Sequence, residues 1–223
     1  MSTILITGAN RGIGLEMCRQ CKARGDAVIA VCRKPSSKLE ALGVEIVDGV
    51  DVRKPADLQA LRKALDGRRI DILMHVAGVL SSQSLGNLDA RALEQIHLQF
   101  ETNAIAPLLA TQALLDLMPE GGKIGILTSR MGSIADNDSG GSYGYRMSKA
   151  AVNAAGKSLA VDLKPRGISV ALLHPGYVRT DMTGHHGLID ADESVRGLLA
   201  RMDALTLEES GGFWHQNGER LPW

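Results

Sequence analysis

Thr3-Ile4-Leu5-Ile6-Thr7-Gly8-Ala9-Asn10-Arg11-Gly12-Ile13-Gly14 opens this chain of 223 residues, and the order of its parts decides the fold. A β-branched apolar run passes at once into a glycine-rich turn, and the turn into Leu15-Glu16-Met17-Cys18-Arg19-Gln20, a helical stretch. The three glycines have separate physical reasons. Gly8 allows the tight turn, Gly12 lets backbone N–H groups approach a phosphate, and Gly14 lets the helix pack closely on the strand. A phosphate would rest on the helix N-terminus, where unpartnered donors and the dipole both favour negative charge. The spacing is Gly-x-x-x-Gly-x-Gly, not the commoner Gly-x-Gly-x-x-Gly, and a glycine turn alone is weak evidence. Its position directly after the first strand supports a dinucleotide-binding turn.

Outward from this unit, strand-length apolar runs recur at Ala27–Cys32, Val44–Val47, Ile70–Met74, Lys123–Leu127 and Ile168–Leu173, with Gly212–Trp214 a candidate seventh. Helical periodicity fills the gaps at Gly12–Arg24, Pro55–Leu65, Ala90–Leu117, Tyr143–Leu163 and Ala191–Met202. Alternating strands and helices, with near-continuously apolar strands, predict a parallel sheet covered on both faces. The fold class is α/β: one doubly wound, Rossmann-type domain spanning residues 1–223, with no repeat or linker dividing it. Ligands in such sheets bind beyond the carboxyl ends of the strands, where Gly8, Arg33, Asp51, Gly78, Ser129 and Pro175 all fall.

Composition narrows the partners. Lysine plus arginine equals aspartate plus glutamate at 25 each, which gives no global electrostatic reason to expect nucleic acid or an anionic membrane. The hydrophobic content of 44% supports a sizeable core. No apolar run reaches the roughly 18 residues of a membrane span. The first strand begins almost at the first residue, with no signal-like segment before it, so a cytoplasmic protein is expected. Cys18 and Cys21 form Cys-x-x-Cys inside the first helix, where they read as buried helix side chains, and Cys32 reads as core. His185-His186 has no ligand cluster at a metal-binding spacing, so no metal is expected.

A second stretch carries chemistry. In Tyr145-Arg146-Met147-Ser148-Lys149 a phenol and an ammonium lie four residues apart, on one face of a predicted helix. Bringing a tyrosine from about 10 to near 7 requires roughly 4 kcal/mol of preference for phenolate. One positive charge about 4 Å away at an effective dielectric of about 20 supplies that much. The expectation is that Lys149 leans toward the phenol oxygen. Tyr143 also lies nearby, but its i+4 partner is Met147, which favours Tyr145.

The glycine turn and Tyr145-x-x-x-Lys149 together resemble the short-chain dehydrogenase/reductase family, over essentially the whole chain. Further matching features follow in order: Asp51-Val52, Ala77-Gly78, Thr102-Asn103-Ala104, Leu127-Thr128-Ser129 and Pro175-Gly176-Tyr177-Val178-Arg179-Thr180-Asp181. Arg130-Met131-Gly132-Ser133-Ile134, Gly140-Gly141 and Leu221-Pro222-Trp223 are most similar to the small carbonyl-reductase branch that includes the C-factor and sniffer proteins.

The resemblance implies hydride transfer between a nicotinamide and a carbonyl carbon, with Tyr145 as general acid/base and Lys149 favouring the phenolate and bonding the nicotinamide ribose. Ser129 would hold the substrate oxygen. It lies sixteen residues before Tyr145, further than in the wider family, with the extra length in Ala135–Ser142. If that loop does not bulge outward, Ser133 takes the role. Asn103 resembles the helix asparagine that holds a water linking the lysine to solvent. Asn10 and Ile13 in the glycine turn join the cofactor set. Asp51 and Val52 would contact adenine, Ala77 and Gly78 would close the adenosine pocket, and Pro175, Gly176, Val178 and Thr180 would fix the nicotinamide. One departure stands out: His75-Val76-Ala77-Gly78 occupies the place of the family's Asn-Asn-Ala-Gly, and His75 either replaces an asparagine or is a satisfied core histidine.

Cofactor choice is legible from charge. The second strand ends Val31-Cys32-Arg33-Lys34, with no acid until Glu40, and Arg11 lies in the glycine turn. Two arginines suit a 2′-phosphate, which predicts NADP(H). A short segment between Thr180 and Ala191 and few aromatic residues point to an open site for small aldehydes or ketones. Two other classes stay open: a signalling module that binds NADP(H) with little turnover, and an epimerase or dehydratase that keeps its cofactor. Small residues such as Ala104, Ala106, Ala150 and Ala154 on the two long helices permit close helix approach. Family members commonly pair through these helices, so a homodimer or homotetramer is expected, unless the alanines pack on the sheet.

Overall fold

A computed structural model describes residues 1–223. Its strands are β1 (Thr3–Thr7), β2 (Ala27–Val31), β3 (Glu45–Val47), β4 (Ile72–His75), β5 (Lys123–Leu127), β6 (Ser169–His174) and β7 (Gly212–His215). They form one sheet in the order β3-β2-β1-β4-β5-β6-β7, parallel throughout. The chain winds outward from β1 in one direction and from β4 in the other. The reversal between β1 and β4 opens the crevice in which such sheets take ligands.

The helices are α1 (Gly12–Ala23), α2 (Ser37–Glu40), α3 (Pro55–Ala64), α4 (Ala90–Phe100), α5 (Ala106–Leu114), α6 (Tyr143–Leu163) and α7 (Ala191–Ala204). Strand side chains alternate between two cores, following the two-residue period of the pleat. Leu5, Leu73, Ile124 and Leu172 face one core, shared with Leu61, Ala110 and Val152 of the helices. Ile4, Ile6, Met74 and Leu173 face the other, with Met17, Cys18, Cys21 and Leu198. The three cysteines are free and buried, and burial pushes the Cys18 and Cys21 thiols up to about 12. They are inert core side chains.

The expected helix Ala90–Leu117 is interrupted. Residues Glu101–Ile105 form a π-turn between α4 and α5. The cause is local: Pro107 has no N–H to give to the Asn103 carbonyl four residues back, so the regular ladder fails there. The fourth strand is also displaced from its expected span and takes in His75. Helix α4 packs on α6 within the chain, and Ala104 and Ala106 are buried, so those alanines serve intrachain packing.

Candidate active site

The glycine turn is built for an anion. Arg11, the residue before α1, has extended backbone and no side-chain cap, so the first-turn N–H groups of α1 have no partner from that side chain. A Cβ on Gly8 would fall 2.7 Å from the backbone of Ala77, and one on Gly14 would meet the Gly8 carbonyl. The turn therefore nests against the strand ends only because both side chains are hydrogen atoms. Ser36 Oγ donates to the Asn10 carbonyl at 2.7 Å and pins the turn from the side of β2.

From this turn a cleft of about 790 Å³ runs across the sheet edge to Tyr145 and Lys149. Its walls include Gly8, Asn10, Arg11, Gly12, Ile13, Gly14, Arg33, Asp51, Val52, Ala77, Gly78, Pro175 and Thr180, as the sequence predicts. Lys34, Arg53, Thr128, Asp181 and Met182 also line it. Gly176 and Val178 do not. A Cβ on Gly176 would meet Ile189, and Val178 bridges to Ile189 while its carbonyl accepts from Thr183 Oγ1 at 2.6 Å. The residues present fit a dinucleotide with an extra phosphate: bare helix donors at one point, Arg11, Arg33 and Lys34 at the β2 end, and a phenol with an ammonium at the other.

Two charged groups are already engaged. Arg53 chelates the Asp51 carboxylate through Nε at 2.9 Å and Nη2 at 2.5 Å, and that hydrogen bonding holds Asp51 down at about 2. Its carboxylate can reach an adenine only by sharing with Arg53. Arg11 lies 3.8 Å from Asp181 across the mouth, both highly exposed. A pair so open to water is worth little and yields readily to a phosphate.

At the far end Tyr145 and Lys149 line the cleft, whereas Asn103 and Ser129 do not; all four are buried. Burial pushes Tyr145 up to about 12, opposite to the lowering expected from the Lys149 charge, while hydrogen bonding from Ser129 pulls the other way. Burial drives Lys149 down to about 8. The lysine makes its hydrogen bond elsewhere than to the phenol oxygen. Its Nζ donates to the Leu127 carbonyl at 2.8 Å and lies 5.7 Å from the centre of the Tyr145 ring. A buried ammonium must be paired, and the end of β5 offers the acceptor.

Of the two candidate serines, Ser129 alone bears on the Tyr145 pKa, while its Oγ also accepts from Met131 N at 3.1 Å in a local turn. Ser133 is buried, with its Oγ accepting from Asp136 N at 3.1 Å in a local turn. The Ala135–Ser142 segment, which holds the extra length between Ser129 and Tyr145, has most of its residues exposed. Asn103 clamps Val79: its Oδ1 accepts from Val79 N at 2.8 Å, and its Nδ2 donates to Val79 O at 2.9 Å and Ser148 Oγ at 3.0 Å. Both Nδ2 hydrogens are thus used, and Oδ1 keeps one acceptor position. His75 is a core histidine, its Nε2 2.9 Å from Thr111 Oγ1 and its pKa lowered to about 3 by burial.

Sequence reasoning missed Arg53, Ser148 and Gln83. Ser148 Oγ links Asn103 to the Tyr145 carbonyl, at 2.8 Å from the latter. Its only signal was its place between Tyr145 and Lys149. Gln83 had none.

Comparison with known proteins agrees with this geometry. The family model for short chain dehydrogenases matches residues 2–188. The chain is 43% identical over 229 residues to a 1-hydroxy-2-glutathionyl-2-methyl-3-butene dehydrogenase of Rhodococcus sp. (strain AD45), covering the whole of both. It superposes on the carbonyl reductase Sniffer of D. melanogaster with a TM-score of 0.92 at 30% identity, covering 100% of each chain. It matches the NADPH-bound carbonyl reductase from chicken fatty liver with a TM-score of 0.90 at 30% identity, over 100% of this chain and 99% of that one. With the glycine turn, the crevice and the tyrosine-lysine helix in place, the chain belongs to the short-chain dehydrogenase/reductase family.

Proposed function

We propose that the chain is an NADP(H)-dependent oxidoreductase that reduces the carbonyl of a small aldehyde or ketone to an alcohol, with Tyr145 as proton donor. One observation carries the reading: Tyr145 and Lys149 sit on one helix face, at the end of a cleft that starts at a glycine turn with bare helix donors. When bound, NADPH supplies the hydride. Tyr145 is protonated at neutral pH and presents that proton at its phenol oxygen, the protonation state that reduction requires. Ser129 stands beside it to hydrogen-bond the same substrate oxygen as charge grows there.

Lys149, titrating near neutrality, can pass a proton on after the phenol has given one up. The π-turn supports the water-holding role for Asn103 through its backbone, because the carbonyl has lost its regular helical donor. Arg11, Arg33 and Lys34 favour a 2′-phosphate over a bare ribose. The NADPH-bound chicken reductase supports that choice. The Rhodococcus relative is named for an alcohol carrying glutathione, so thioether conjugates belong in a substrate panel.

No helix is long and apolar enough to cross a membrane, and we retain a cytoplasmic location as part of this reading. Ile105, Leu108, Met147 and Val161 remain exposed on α4 to α6 and support pairing between copies. Turnover of NADPH over a panel of aldehydes, ketones and glutathione-conjugated carbonyls tests the proposal. Tight NADPH binding without turnover of any of them would favour the signalling module instead.

A further inference from the structure

Helix α6 begins without a cap of its own. Ser142, the residue before it, is in the left-handed region at φ 47°, and its side chain makes no capping bond. The first N–H groups of a helix need acceptors. Here they come from Gln83, in the loop after β4. The Gln83 carbonyl accepts from Ser142 N at 2.8 Å, and Gln83 Oε1 accepts from Gly144 N at 2.9 Å. Gln83 is 6% exposed, and its amide nitrogen donates to Ser81 Oγ at 2.9 Å. Gln99 of α4 lies behind it at 1% exposed, accepting from Ser81 N at 3.0 Å. Both amide orientations are fixed, because only an oxygen can accept from a backbone N–H.

Gly144 is what admits this arrangement. A Cβ there would lie 2.5 Å from Gln99 Nε2, 2.8 Å from Ile96 Cγ1 and 3.0 Å from Gln83 Oε1. Two buried amides thus press on bare helix backbone one residue before Tyr145.

We propose that Gln83 is a positioning residue for the reaction: as a distant cap on the first turn of α6, it sets where the Tyr145 phenol stands. The proposal rests on the reading of Tyr145 as proton donor. Magnitudes separate positioning from mere stability. A helix cap is worth about 1 kcal/mol, a small change in folding, whereas a displacement of about 1 Å at a reacting group costs about 100-fold in rate. Gln83 also lies in the loop that follows β4, whose Ala77, Gly78 and Val79 wall the cleft. Asn103 holds that loop at Val79 and Gln83 holds it to α6, so the wall and the phenol keep a fixed spacing.

The test compares Gln83→Leu, Gln83→Glu, Gly144→Ala and Tyr145→Phe with the parent protein, using NADPH and a carbonyl compound that the parent reduces. Gln83→Leu is expected to lower kcat by about 10- to 100-fold, with KM for NADPH within about twofold. Gln83→Glu keeps an acceptor oxygen and brings negative charge to a helix N-terminus, so it is expected to recover kcat to within about threefold of the parent. Gly144→Ala gains helix propensity but wedges a methyl group between the amides. It is expected to lose kcat as Gln83→Leu does, and it decides the matter if Gln83→Leu does not fold. Parental kcat in Gln83→Leu or Gly144→Ala, or Gln83→Glu as slow as Gln83→Leu, would overturn the proposal while leaving Tyr145 in its role. An active Tyr145→Phe would instead overturn the underlying reading.

Discussion

Lys149 is joined to Leu127 by a 2.8 Å hydrogen bond from its ammonium to the last carbonyl of β5, and this contact fixes the lysine beside the crevice. Burial there drives the Lys149 pKa down to about 8. If its charged form takes part in proton delivery, the rate of carbonyl reduction is level below that value and falls as pH rises through it. A profile of kcat/KM against pH reads this directly. A rate unchanged about two units above the lysine's value would remove Lys149 from proton transfer.

Ser129→Ala is expected to lower kcat by about 100- to 1,000-fold, the loss typical of one donor at a developing oxyanion. Ser133→Ala removes only an acceptor for Asp136 N. It is expected to cost about 1 kcal/mol of stability with kcat retained. Reversed results would assign substrate positioning to Ser133.

Arg33→Asp places a carboxylate where a 2′-phosphate is expected. Loss of a charge-assisted phosphate contact, worth about 1.5–3 kcal/mol, raises KM for NADPH by about 10- to 100-fold and narrows its advantage over NADH. Steady-state kinetics with both cofactors checks this. An undiminished preference for NADPH would place the phosphate elsewhere.

Acid stability follows from His75. Its folded pKa is lowered from 6.5 to about 3 by burial, so the folded state stays neutral while the unfolded chain takes up a proton. The stability this provides is complete above pH 6.5 and is lost as pH falls from there toward about 3, at about 1.4 kcal/mol per pH unit. His174 is lowered in the same way and adds to the slope. Urea unfolding at stepped pH measures it. His75→Asn is expected to flatten the dependence by one proton, and an unchanged slope would contradict the burial of a neutral imidazole.

What the sequence made legible was what local pattern controls. Continuous β-branched runs placed the strands, and the glycine turn placed the crevice, because strand period and glycine sterics act within a few residues. Tyr145 and Lys149 were legible for the same reason. The direction of the Lys149 ammonium was not, since the Leu127 carbonyl that captures it is 22 positions away. Pro107, four residues after Asn103, carried the signal for the π-turn, whereas Gln83 reaches Gly144 only because the sheet brings separate loops together.

Proton donation by Tyr145 is tested by the rate of NADPH oxidation, followed by its fluorescence, for the parent protein and for Tyr145→Phe on the best substrate of the panel. The parent is expected to consume one NADPH per alcohol formed. Tyr145→Phe is expected to react about 100- to 10,000-fold more slowly with NADPH affinity retained. A variant that turns over within about tenfold of the parent would remove Tyr145 as the proton donor.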